Sequence, residues 1–259
     1  VLLLVSLPST AAAATIYVDS LIGDDRWDGV TQERVSDRSG PVRTLRRAAH
    51  LVTTGDRIVL ANRGVPYEGG VTLAGPRCSG TRFAPLEIVG NGATLSGARP
   101  IEPSAWRLVT GDVWRVTPIR KGWFQLVQEG RAVPERHVPT GANERPPLEE
   151  GTWCAWEGAV YYRPPFGAIP AELPLQLADE QTGITLLDVE NVVIRDLTLQ
   201  HFRQDGIHLQ DRCREVRLEN VVCRENGRCG IVLRGNSRAW LNGVTLAGNR
   251  VESLLVEGL

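Results

Sequence analysis

Apolar positions in the last third of the chain recur at a fixed spacing. Set beneath one another, Ile194–Leu199, Leu218–Cys223 and Leu241–Leu246 carry apolar residues at the same places, at offsets of 24 and then 23 residues. A second run, Gly206–Leu209, Gly230–Leu233 and Ser253–Val256, recurs at the same offsets. Between the two runs Asn226 and Asn249 fall at equivalent places, each beside a glycine, Gly227 and Gly248. Within each run apolar and polar residues alternate, so one face of a short strand points to a core and the other to water. A hairpin sandwich also yields short alternating strands, but it would not keep two strands, a glycine and an asparagine in register over three repeats. The pattern predicts an all-β chain, a right-handed parallel β-helix with coils of about two dozen residues. Asparagines stacked at one corner can then hydrogen-bond along the solenoid axis.

Upstream, the run Ile16–Asp19 predicts a strand, followed by a loop over Gly23–Gly29. Leu45, Ala48, Ala49 and Val52 lie at i, i+3, i+4 and i+7, the stripe of an amphipathic helix, and Gly55 stops it. An open solenoid end exposes its core, so this helix is expected to cap the N-terminal end. Arg57–Leu60, Val71–Leu73, Leu86–Val89 and Ala93–Leu95 read as the first coils, over residues 15–100. Residues 101–175 break the pattern and hold five of the seven tryptophans (Trp106, Trp114, Trp123, Trp153, Trp156). That stretch reads as a small inserted β-rich domain, after which coils resume over 176–259.

With 259 residues and 42% apolar content the chain can bury a sizeable core. A net charge of -1 argues against a nucleic-acid surface. Val1–Pro8 running into Ala11–Ala14 reads as the end of a secretory signal peptide over 1–14, so a secreted, periplasmic or cell-surface location is expected. No stretch is long enough to span a bilayer. The chain has no methionine, and Val256–Leu259 stops within a coil, so it reads as a fragment with further coils beyond it. The five cysteines form no CxxC pair and have no zinc spacing; buried core positions suit them.

Two groups of residues carry a resemblance. Tyr17-Val18-Asp19, Gly23-Asp24-Asp25, Gly40–Leu45 and Gly55–Leu60 resemble the opening of pectate-lyase-like right-handed β-helix proteins. Gln125–Arg131, Arg136–Pro139, Gly151-Thr152-Trp153 and Val160–Pro164 are similar to the inserted β domain of β-helix glycoside hydrolases of the β-xylosidase and pectin-side-chain-degrading kind. The resemblance implies glycosidic cleavage by a carboxylate pair on coils beyond the insertion.

Such cleavage needs two carboxylates flanking the scissile bond. Outward residues on neighbouring coils stand roughly 4.8 Å apart and can supply them. The candidates are Asp205, just before Gly206, and Glu225 one coil later, with His208 as a further catalytic group. His201, at the position equivalent to Glu225, with Phe202, Arg203, Asp211 and Arg228, forms the expected substrate-binding set, Phe202 as a stacking surface and the arginines as carboxylate clamps. Solvated corner residues of a solenoid explain Asp205 and Glu225 as well. Asp24, Asp25 and Asp28 can ligate calcium, although Asx turns account for them too; no other cofactor or metal is expected. The expected partner is a polysaccharide or oligosaccharide, bound by a monomer. The readings are a glycoside hydrolase, a non-catalytic glycan-binding or surface module, and a polysaccharide lyase or epimerase.

Overall fold

The computed structural model describes residues 13–258. All but the last two residues of the expected signal peptide, and Leu259, lie outside that range. Two parallel sheets run the length of the coil stack. The first carries, in order, Thr15–Val18, Arg57–Leu60, Leu86–Ser96, Glu190–Gln200, Arg214–Arg224 and the pair Ala239–Asn242 and Thr245–Ala247. The second carries Val71–Ala74, Thr182–Leu187, Asp205–Gln210, Cys229–Arg234 and Glu252–Glu257. Coil-to-coil register is the one expected from the repeat. Ile58, Ile88, Ile194, Leu218 and Leu241 stack in the first sheet, and Leu73, Leu186, Leu209, Leu233 and Val256 in the second. The inward side chains of the earlier coils form one continuous core from Ile16 to Ile231, with Leu233 packed against it, while Leu241 and Val256 of the last coil are exposed.

The long strands of the first sheet bend where Asn91, Asp196 and Asn220 take left-handed φ of 52°, 54° and 51°. Short polar side chains tolerate that conformation best, and Asn220 Nδ2 donates to Asp196 Oδ1 at 3.2 Å. The two pieces read from the sequence as Leu86–Val89 and Ala93–Leu95 are therefore one bent strand.

At the corner leading to the second sheet, Asn226 Oδ1 accepts the Phe202 N–H at 3.1 Å. Its Nδ2 donates to Asn249 Oδ1 at 3.0 Å and to the Leu199 carbonyl at 3.4 Å. The asparagine ladder thus forms, and it also binds the backbone of the coil before it.

One corner is greatly enlarged. Ser96 pairs with Gln200, and Thr182 with Asp205, so residues 97–181 stand where the next coil has only His201–Gln204. The excursion leaves on Ala98–Pro100 and returns antiparallel to it on Leu175–Ala178, a stem lying partly outside the expected 101–175. It forms two four-stranded sheets. Trp106, Trp153, Tyr162, Phe124 and Leu126 fill its core, and Trp153 Nε1 donates to the Val133 carbonyl at 2.9 Å.

The helix spans Leu45–Leu51, with Thr44 Oγ1 accepting the Arg47 N–H at 3.0 Å as its N-cap. Leu45, Ala48 and Ala49 join the main core.

Replacing Asn226 with Leu leaves the buried Phe202 N–H without its acceptor, and orphaned groups of this kind cost roughly 1–3 kcal/mol each. Urea unfolding should show a loss of at least about 1 kcal/mol. An unchanged midpoint would show that the ladder contributes nothing to stability.

Candidate functional site

The outward face of the second sheet forms the floor of a groove of about 950 Å³. Its middle row is Thr72, Thr185 and His208, neighbours by strand register. Gln181, Gln204 and Arg228, which follow one another at one corner position of three coils, line one edge. Gln181 Nε2 donates to Gln204 Oε1 at 2.9 Å. Arg46 and His50 of the helix, with Arg77 after the first strand, line the far end, and Gln210 and Arg234 complete the floor. Among the described residues Glu180 is the one carboxylate that lines the groove, bound by Arg99 at 2.8 Å. The volume and the density of donors and acceptors suit a polar ligand of several rings.

Asp205 and His208 lie at this groove, but in an unexpected arrangement. Asp205 is fully buried. Arg228 covers it from the next coil, with Nε 2.9 Å from Oδ1 and Nη2 on Oδ2. His208 Nδ1 stands 3.6 Å from Asp205 Oδ2, and its Nε2 is buried without a hydrogen-bond partner among the described residues. Asp205 is thus spent on holding Arg228 and flanking His208, and only those two of the three line the cavity.

Glu225 serves a different contact. Its Oε2 accepts the Ala132 N–H of the excursion at 2.7 Å and stands 3.2 Å from His201 Nε2. His201, Glu225 and Gly248 occupy one corner position, with φ of 57°, 50° and 62°. The stacking of His201 on Glu225 expected from the repeat is therefore present, but Glu225 does not line the groove. The two carboxylates of the expected pair are engaged with different neighbours, Asp205 with Arg228 and His208, and Glu225 with Ala132 and His201. Arg203 donates to the carbonyls of Lys121 and Gly122, the latter at 2.8 Å, and Arg250 pairs with Glu135 at 2.9 Å. Arg203, Glu225 and Arg250, on three successive coils, pin the excursion to the solenoid.

Phe202 does not offer a stacking face. It is fully buried in the main core, packed against the backbone of Gly97 and Gly183, where a Cβ would meet its ring at 2.5 and 2.8 Å. Asp211 lies exposed at the turn after its strand and does not line the groove. No tryptophan lines it among the described residues. The loop carboxylates are spent separately. Asp24 pairs with Arg26, which helps hold its carboxyl down at about 2; Asp25 accepts the Arg43 and Thr44 N–H groups at 2.8 and 2.9 Å; Asp28 accepts the Val30 N–H at 3.1 Å. No group of three or more His, Cys, Asp or Glu side chains converges as a metal site among the described residues. Glu180, Thr72 and Thr185 are lining residues that sequence reading missed. The threonines showed only as polar positions in alternating strands, and Glu180 lies outside the repeat.

The family described as a right-handed β-helix region matches residues 176–257. Among solved structures, XylC in complex with xylose superposes with a TM-score of 0.58 at 13% identity, over 88% of this chain and 53% of that one. A glycoside hydrolase superposes with a TM-score of 0.61 at 15% identity, over 94% of this chain and 67% of that one. The fold is a right-handed parallel β-helix. The chain spans about half the length of the XylC chain. No curated protein matches it in sequence.

Two outcomes follow for this part of the β-helix. Arg228→Met strands the buried Asp205 charge and should cost about 3–5 kcal/mol, while Asp205→Asn with Arg228→Met should recover much of it; equal losses in urea unfolding would rule out a compensating pair. Burial pushes His201 and His208 below the ordinary histidine value of 6.5, against the raising pull of Glu225 and Asp205. The folded chain then binds fewer protons than the unfolded one, so this stability is full above pH 6.5 and declines as pH falls below it. Urea midpoints between about pH 7.5 and about pH 5.5 should fall less steeply in His201→Gln than in the parent.

Proposed function

We propose that this chain is a carbohydrate-active β-helix protein whose sugar ligand lies in the groove on the second sheet. One observation carries the reading: a 950 Å³ cavity floored by Thr72, Thr185, His208 and Gln210, whose side chains match the hydroxyls of a saccharide. The glycoside hydrolase-like fold supports it. In this reading the helix Leu45–Leu51 caps the solenoid, residues 101–175 are an inserted β domain, and the protein acts outside the cytoplasm, where polysaccharides are met. No helix among the described residues is long and apolar enough to cross a membrane.

Binding is the activity that the groove's geometry supports best. Hydrolysis is the second reading, favoured by Glu180, which lines the groove beside the Gln181–Gln204 edge. A carboxylate there can take a proton from an attacking water. His208, flanked by Asp205, can also carry a proton in the groove.

A panel of plant and algal oligosaccharides, assayed for both binding and reducing-end release, separates the two. Binding without release, weakened at least about tenfold by His208→Ala or Thr185→Val, identifies a binding groove. Release that Glu180→Gln lowers by roughly 10²-fold or more, with binding retained, identifies a hydrolase. Absence of both binding and release across the panel would sink the proposal.

A further inference from the structure

Charge in the groove is not balanced. Among the described residues four arginines line it, Arg46, Arg77, Arg228 and Arg234, against the single carboxylate of Glu180. Arg228 is neutralised by Asp205 beneath it, and Arg234 by Glu257 at 2.5 Å. Glu180 is in turn held by Arg99, which does not line the cavity. Arg77 Nη1 donates to the carbonyls of Val52 at 2.7 Å and His50 at 3.1 Å. Those bonds fix its direction and leave its positive charge whole. Arg46 is exposed on the helix and makes no ion pair with an acidic side chain among the described residues. Two uncompensated guanidinium groups therefore stand at the helix end of an otherwise neutral, hydroxyl- and amide-lined groove. A guanidinium fork fits the paired oxygens of a carboxylate or sulfate, and charge-assisted bonds are about twice as strong as neutral ones.

We propose that the groove takes an acidic saccharide, the anionic group of one sugar unit held by Arg46 and Arg77 and the remaining units lying over Thr72, Thr185 and Gln210. This rests on the groove being the sugar site and adds the class of sugar.

The test is calorimetric titration of the whole chain with three oligosaccharides of equal length: an oligogalacturonate, a sulfated galactan fragment and a neutral xylan fragment. An acidic probe should bind at least about tenfold tighter than the neutral one and lose affinity as salt is raised. Arg46→Gln should cost roughly tenfold, and Arg217→Gln, an exposed arginine on the first sheet, should cost nothing. Preference between the two acidic probes assigns the anion as carboxylate or sulfate. If the neutral probe binds as well or better, or Arg217→Gln weakens binding as much as Arg46→Gln, the charge assignment fails while the groove remains a sugar site. If none of the three binds and the wider oligosaccharide panel also fails, the sugar site itself is overturned.

Discussion

Hydrogen bonding between coils, rather than within them, is the constraint from which the rest of the molecule follows. Each strand finds its partners one full turn away, so every corner must return the chain to the same place. A corner that differs in shape would break register in both sheets at once. This is why left-handed residues recur in columns, Asn91 with Asp196 and Asn220 at the bend and His201 with Glu225 and Gly248 at the corner. Asn226 answers the same demand by binding the coils on both sides of it. The requirement also makes the groove: with inward positions fixed as apolar, each outward position repeats as a row, and Thr72, Thr185 and His208 form one of them.

The enlarged corner obeys this rule in its own way. Its stem strands bring the departing and returning chain side by side, so the coils on either side stack as though the excursion were absent. Holding so large a lobe against the solenoid takes polar contacts at its base, and Arg203, Glu225 and Arg250 make them. Residues whose type suggests chemistry are here engaged in mechanical attachment. The groove draws on a different set, Arg46, Arg77, Glu180 and the threonine row.

The repeat made the coils, their register and the asparagine ladder legible in the sequence, because those features depend on spacing alone. The helix, too, could be read from its stripe, to within a residue at its end. The site was only half legible. His208, legible as an outward position of the second strand, and Arg228, legible as a carboxylate clamp, both line the groove. Asp205 was read as an outward acid, but it sits at the strand's edge, where Arg228 from the next coil closes over it. That closure depends on which way a long side chain of a neighbouring coil reaches. Phe202 was misread for a related reason: at a corner the alternation of faces lapses, and its ring turns into the core. Glu180 and Arg46 come from segments outside the repeat, and only the folded coil stack brings them to one cavity.

The closed stem has a consequence for how the chain reaches its native state. Glu190–Gln200 must find Leu86–Ser96 across the whole excursion, a pairing of high sequence separation that slows folding when the ends of the intervening chain are free. Coils from Thr182 onward pair with neighbours only 23 or 24 residues away and can form first. If the excursion collapses on its own tryptophan core, its paired stem shortens the effective loop to a few residues, and the entropic cost of the long-range pairing falls away. The lobe then acts as an internal splint, carrying the first coils to the last.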